Sequence, residues 1–584
     1  MANDQSIPQN VKGASVTFTV KIAGQAIPAT IEVYSMNVIK EANRVPSARL
    51  TLLDGDPAKQ KFQVSDEALF IPGKQIELFA GHQSKEDLIF KGIIIKHAIS
   101  VRKNGSSQLK LECRDVAFQM TLGKKSSQFK DVKDSDIANN LFSKYKISID
   151  KIEDTKGTHP EMIQHNCSDW DFVLTRMDVN GKLVLINDGK VEVKAPDFSP
   201  APVLTLQYGS TIHEFDAEMD ARNQYADVKA VSWDPASQEV VEVNGQTPSS
   251  FKENGNISGS QLADATGLKE YVLRHGGNTA REELQAWANA CKQKSAMAKI
   301  RGRVSCDGFA KIKPGDVVEL QGLSNRFNGK IFAAGIRHDL TNGGWETTVQ
   351  FGMDPSWFAQ KFNDQMSTVA VVPSISGLYT AVVAQLEKDP KGEDRILVKI
   401  PMIDMAAEGV WARMAVPDAG DQRGYFFRPE IGDEMLAGFI NNDPRDVVLV
   451  GMLNSSKKPA PLQAKDANKE KGFFFKSKMK ILFNDDDKSM LFETPGGNKI
   501  TLSEKDKGIK IEDQNGNKLT LNSDGISLET KKKLTLKSSG GDVETEGTNI
   551  KQTAKSQYKA EGSAGIELTS SAIAKLKGSL VQIN

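Results

Sequence analysis

Seven histidines, four cysteines and 75 acidic side chains give this 584-residue chain ample material for chemistry, but their spacing converges on no site. The histidines are scattered between His82 and His338 without an HExxH pair. No GxxxxGK[ST] or GxGxxG loop is present to cradle a phosphate, and no GxSxG elbow raises a serine nucleophile. Cys113, Cys167, Cys291 and Cys306 form no CxxC pair, which excludes a disulfide scaffold and suggests a reduced compartment. Cys291 falls on the apolar side of a helical stretch, the place of a buried thiol rather than a nucleophile. The best acidic candidate, Gly432-Asp433-Glu434 beside Pro429, reads more simply as a polar turn entering a strand. No acidic pair stands in the apolar setting that acid/base work needs. Lys531, Lys532 and Lys533 read as a solvated face, Trp170 and Trp287 as core. The expectation is a protein that performs no covalent chemistry and uses no cofactor and no metal.

The elements that would have to position a site point elsewhere. Acidic and basic residues balance at 75 each, so nothing favours nucleic acid or an acidic membrane as partner. Residues 1–6 carry neither a basic stretch nor an apolar one, and the longest apolar run, at 447–453, is far short of the roughly 18 residues of a membrane span. Synthesis in the cytoplasm without a signal peptide is the expectation. Alternating segments over residues 16–120 predict a β-barrel at 1–125. An α/β insertion is expected at 126–205, with one helix capped by Ser135 and another opened by a Ser168/Asp171 box and stopped at Gly181. A second barrel follows at 206–362, carrying a helix opened by Thr279 and Glu282 that buries Leu284, Trp287, Ala288 and Cys291. A polar linker at 363–374 leads to a small all-β unit at 376–455, the size of an OB-type barrel.

Residues 471–584 are the most informative stretch. Short alternating segments begin at Lys480, Ser489, Lys499, Gly508, Lys518, Gly525 and Lys533, separated by turns such as Gly496-Gly497, Asn515-Gly516 and Asp524-Gly525. The segment from Gly497 to Leu502 recurs at Gly516 to Leu521, a 19-residue shift. Each segment offers only two or three apolar groups, too few to offset the entropy of ordering one chain. Several copies wound about one axis would bury every inward side and pair every edge. The fold class is therefore mainly β, ending in an intertwined trimeric β-helix needle. About a dozen strand layers at ~4.8 Å each would make it on the order of 60 Å long.

With these pieces in order, the chain resembles VgrG-like spike proteins of contractile injection systems, relatives of the phage hub and spike. Gln164 to Val173 matches the family's Q-x-N-x-S-D-W-x-F element. Residues around Ile212, Val231, Ile312, Phe327 and His338 resemble its second hub barrel. Asp389-Pro390, Val398 to Pro401, Trp411 to Arg413, Pro417 to Gly420, Pro429 to Glu434, Asp443-Pro444 and Val450 to Leu453 resemble its OB-like neck. The resemblance implies a homotrimer whose two hub barrels per chain cap a hexameric inner tube. It also implies baseplate proteins and possible effectors as partners, with a target membrane met only on puncture and release outside the cell after firing. A cone-shaped PAAR-type tip protein would dock on Gly578, Ser579, Leu580, Val581, Gln582, Ile583 and Asn584. The short connector at 455–470 holds no lysozyme domain. The alternative is a tailspike or fibre-like receptor-binding trimer, which should display aromatic platforms, whereas 493–584 hold one aromatic residue, Tyr558.

Overall fold

The computed structural model describes residues 15–103, 105–234, 239–275, 279–341, 344–362, 372, 374–401, 403 and 408–583. Residues 1–6, the expected linker apart from residues 372 and 374, and Asn584 lie outside the described residues. The chain forms two compact units, 1–454 and 455–584.

In the first unit, alternating patterns become strands because Val, Ile, Leu and Thr suit a pleated, half-buried surface. The two strand-rich segments keep separate cores. One surrounds Met36, Leu50, Ile76, Phe90 and Leu111, the other Leu206, Val304, Ile331, Val349 and Phe351. They are nevertheless joined edge to edge. Strand Val33–Glu41 pairs antiparallel with Gly329–Thr341, Lys40 opposite Ile336, so a 13-stranded sheet runs through both. Pairing the two edges with each other removes them as sites of aggregation.

Five helices are described: α1 (Asp134–Lys144), α2 (Asp169–Val179), α3 (Gly259–Thr266), α4 (Arg281–Ala298) and α5 (Phe358–Phe362). The Ser168 hydroxyl caps α2 by accepting from the Asp171 N–H at 3.1 Å, as its spacing predicts. Two other expected caps are corrected. Helix α1 begins at Asp134, and Ser135 trades hydrogen bonds with Thr155 instead of capping. Helix α4 begins at Arg281, because the Thr279 hydroxyl is taken by His275 Nδ1 at 3.0 Å. Helix α3 was not foreseen, although Ser258, Gln261 and the left-handed Gly267 (φ 75°) form a full start and stop signature. Trp170, Phe172, Leu284, Trp287 and Cys291 fill one core between α1, α2 and α4.

Residues 379–452 close into a five-stranded barrel in the order Tyr379–Gln385, Ile396–Lys399, Val410–Met414, Val447–Met452, Glu434–Phe439. Ala381, Val383, Ile396, Val398, Ala412, Met435 and Leu449 fill it, and Ile163 from strand Thr158–Cys167 joins the same core. Closure leaves this barrel no open edge.

The second unit is a seven-stranded antiparallel ribbon from Glu470–Phe474 to Gly525–Glu529, each strand paired only with its sequence neighbours. All six expected segments from Lys480 to Glu529 are strands. The seventh, at Lys533, enters no strand ladder among the described residues.

Candidate functional site

The ribbon's register sorts its side chains into two dissimilar faces. On one face Ile481, Phe492, Ile500, Ile511, Leu519 and Leu528 stand opposite one another across six consecutive strands. Beside them Phe483, Met490, Leu502, Ile509, Leu521 and Ile526 form a second column. Twelve apolar side chains thus line a face that one chain leaves open: Phe492 and Ile511 are each 41% exposed and Ile526 is 75% exposed. Soluble chains rarely leave so continuous an apolar surface uncovered, so this face calls for a partner.

The opposite face carries an alternating ladder of charge. Lys480, Glu493, Lys499, Glu512, Lys518 and Glu529 are successive cross-strand partners. Glu493 receives Lys480 Nζ at 2.7 Å and Lys499 Nζ at 3.2 Å, and hydrogen bonds from these two ammonium groups hold its carboxyl below the usual range. A one-residue slip would put the apolar columns on the charged face, so the ladder and the columns specify the same register. The 19-residue repeat builds equivalent turns. Thr494 Oγ1 accepts from the Asn498 N–H and Asp513 Oδ1 from the Asn517 N–H, and each turn needs a left-handed glycine, Gly497 (φ 96°) or Gly516 (φ 83°).

Beyond Glu529 the character changes. Residues 531–583 are all exposed and enter no strand ladder among the described residues. Leu536, Val543, Ile550, Tyr558, Ile566, Ile573 and Val581 recur there every seven or eight residues, each about half or more exposed. An extended backbone with no internal ladder must pair with another chain or stay in water. Of the expected docking residues, Leu580 is 79%, Val581 49% and Ile583 87% exposed, Gly578, Ser579 and Gln582 are exposed with them, and Asn584 lies outside the described residues.

Asp433 and Cys291, two of the candidates for chemistry, hold structural positions. Asp433 Oδ2 accepts from the Glu430 N–H at 2.9 Å, closing the turn before strand Glu434–Phe439. Cys291 is buried, and burial pushes its thiol up to about 12, away from reactivity. No group of three or more metal-binding side chains occurs among the described residues. No described helix is long and apolar enough to cross a membrane. One expectation is corrected. Acidic groups do meet in a buried setting, since Asp134, Glu283 and Asp443 are at most 4% exposed. Burial alone would raise the three carboxyls, but Arg176 holds Asp134, Arg445 holds Asp443, and both hold Glu283 below the usual range. Saturated by arginine, they cannot act as acids near neutral pH. Sequence reading misses them because residues 134, 176, 283 and 445 are distant in the chain; only the topology brings them together.

Residues 12–342, more than half of the chain, match the family model of the Alg8 N-terminal domain. Residues 379–453 match the type VI secretion system/phage-baseplate injector OB domain, and 489–584 the phage baseplate V C-terminal trimerisation domain. Among solved structures, a lidded Francisella PdpA–VgrG complex is similar over 89% of this chain and 80% of that one, with TM-score 0.52 and 10% identity. A lidless PdpA–VgrG complex is similar over 88% and 98%, with TM-score 0.50 and 11% identity. The Escherichia coli c3393 protein, a component of a type VI secretion system, aligns over 74% and 99% at 11% identity with TM-score 0.47. No curated protein sequence matches the chain.

Proposed function

The chain belongs to the Alg8 N-terminal domain family, and we propose that it is a VgrG-like spike protein, a structural hub and spike of a contractile injection system, whose parts divide the work. Three chains assemble through residues 471–584, turning the open apolar face inward and the Lys/Glu ladder outward. The carrying observation is that face: twelve register-matched apolar side chains left open in a chain with a trimerisation domain. Residues 531–583 pair only between chains, so the stretch stiffens as trimerisation proceeds. Hub residues 1–362, with two cores per chain, offer six similar surfaces in a trimer and so cap a hexameric inner tube. The barrel at 376–455 is the neck, and residues 578–584 receive a separate tip protein by strand addition.

Contraction of a sheath would drive this assembly through a target envelope, and effectors would ride on it. The spike acts by stiffness, not catalysis, and is assembled in the cytoplasm before release. Deleting the gene should leave contracting sheaths unable to deliver cargo, and the wild-type gene should restore delivery. An Ile511→Asp gene should not. Delivery by that variant at wild-type level would contradict the proposal. Release of muropeptides from purified sacculi by the wild-type protein would contradict its non-catalytic part.

A further inference from the structure

Two charged side chains of the barrel reach into the helical layer of the same unit. The turn between strands Glu434–Phe439 and Val447–Met452 presents Asp443 and Arg445, the first 2% exposed. Arg445 grips Asp443 with a fork, Nε to Oδ1 at 3.0 Å and Nη2 to Oδ2 at 2.8 Å. Each then takes a partner across the seam. Asp443 Oδ2 meets His275 Nε2 at 3.0 Å, at the end of strand Glu270–His275, and Arg445 Nη1 donates to Glu283 Oε2 in the first turn of α4.

Glu283 has two heads. Its Oε1 accepts from Arg176 Nη2 on α2 at 2.6 Å, and Arg176 in turn grips Asp134 of α1 at 2.7 and 2.9 Å. His159 and Asn180 also bond Asp134, at 3.1 and 2.8 Å. A continuous buried chain therefore runs from α1 through α2 and α4 into the barrel. Around it the seam is ordinary: Ile163 in the barrel core, Gln128 Nε2 donating to Gly409 O at 3.0 Å, and His165 edge-on to Tyr379 at 6.0 Å.

We propose that the Asp443–Arg445 turn is a keyed plug that locks the neck barrel to the hub's helical layer in one orientation, making a strut that passes axial load between them. The key is the crossed pairing. The barrel supplies one acid and one base, and the hub answers with His275 and Glu283 in matching order. A barrel turned the other way would set Asp443 against Glu283 and Arg445 against His275, unpaired and without water. Desolvated charges of the wrong order cost far more than exposed ones, so the plug discriminates where a greasy contact would tolerate sliding. Bidentate guanidinium geometry adds angular precision that lysine cannot give. The load-passing role rests on the spike reading above; the lock does not, and its test needs no injection machine.

Hydrogen exchange of the full-length protein reads the lock. Arg445→Met should speed exchange in strands Glu434–Phe439 and Val447–Met452 on the order of 100-fold, since it takes a buried guanidinium from both Asp443 and Glu283 and leaves them with His275 and Arg176 alone. Exchange in the ribbon at 470–529 should not change. Arg445→Met combined with Glu283→Gln should cost less than the sum of the two single changes, because the two groups act as a unit across the seam while Glu283 also serves Arg176. Arg445→Lys, which keeps the charge without the fork, should fall between wild type and Arg445→Met and covers the case in which Arg445→Met does not fold. Lys130→Ala, at the exposed rim of the same seam, should change barrel exchange far less than Arg445→Met. Wild-type exchange at the barrel in both Arg445 variants would overturn the lock, as would strictly additive effects of the double variant. Retained trimer mass in every variant would show that any failure concerns the lock and not the spike.

Discussion

Replacing Ile511 by Asp attacks the face on which the spike account depends. Ile511 is 41% exposed in the single chain and stands between Ile500 and Leu519 in an apolar column. A free isoleucine side chain offers about 175 Å², so about 70 Å² remains to be covered by partners, ~1.8 kcal/mol per chain at 25 cal/mol/Å². Three copies contribute ~5 kcal/mol per trimer. Aspartate forfeits that and adds three carboxylates around one axis, each costing several kcal/mol unless protonated or paired. The trimer should fall apart at micromolar concentration, or melt tens of degrees lower where it survives. Lys510→Ser, one residue away on the charged face, should alter stability by no more than about 0.5 kcal/mol. Sedimentation with thermal melting of both variants reads the difference. If Ile511→Asp remains a trimer with an unchanged melting temperature, the apolar face does not point inward and the reasoning fails.

Glu161 lies in the seam between strand Thr158–Cys167 and the barrel, and burial pushes its carboxyl up to about 7 against the pull of Gln128, Lys130 and Arg395. Its folded value lies above its unfolded value of 4.5, so the native state holds the proton more tightly. Its burial is therefore least costly below pH 4.5 and costs an increasing amount, ~3 kcal/mol in all, as pH rises to 7. Glu161→Gln should remove that slope from barrel hydrogen exchange between pH 5 and 8, and an unaltered slope would refute the assignment. Glu493→Lys sets three lysines in a row on the ladder with Lys480 and Lys499 and should cost about 1 kcal/mol per chain, less at high salt, by melting in 0.05 and 0.5 M NaCl. Trp287→Ala empties a fully buried side chain of α4 beside Trp357 and should cost about 3–5 kcal/mol in the first unit without changing the trimer mass. A chain ending at residue 577 should stay trimeric but fail to co-purify with its tip protein; wild-type recovery of the tip would count against residues 578–584 as the dock.

Local pattern carried the reading where neighbours in sequence are neighbours in space. Every expected strand from Lys480 to Glu529 forms, because a meander pairs each strand with the next and its period-2 pattern is complete within the strand. Ser168 caps its helix for the same reason. Where the partner is remote, pattern fails. Ser135 and Thr279 look like caps, yet Thr155 and His275 claim their hydroxyls. The joining of strand Val33–Glu41 to Gly329–Thr341 spans some 300 residues and has no local signature. The Arg176–Glu283–Arg445 chain is invisible for the same reason, since its members are scattered charges until α1, α2, α4 and the barrel converge. Lys533 to Leu536 keep the strand pattern but enter no ladder among the described residues, which the pattern alone could not reveal.

Under the proposed function, residues 471–584 reach their full fold only as three chains. Sedimentation equilibrium of the full-length protein at about 1 µM tests it directly, with far-UV circular dichroism on the same sample. A single species of three times 63.8 kDa with β-rich spectra is the expected result. A folded species of 63.8 kDa, with the amides of 531–583 protected from exchange, would contradict it.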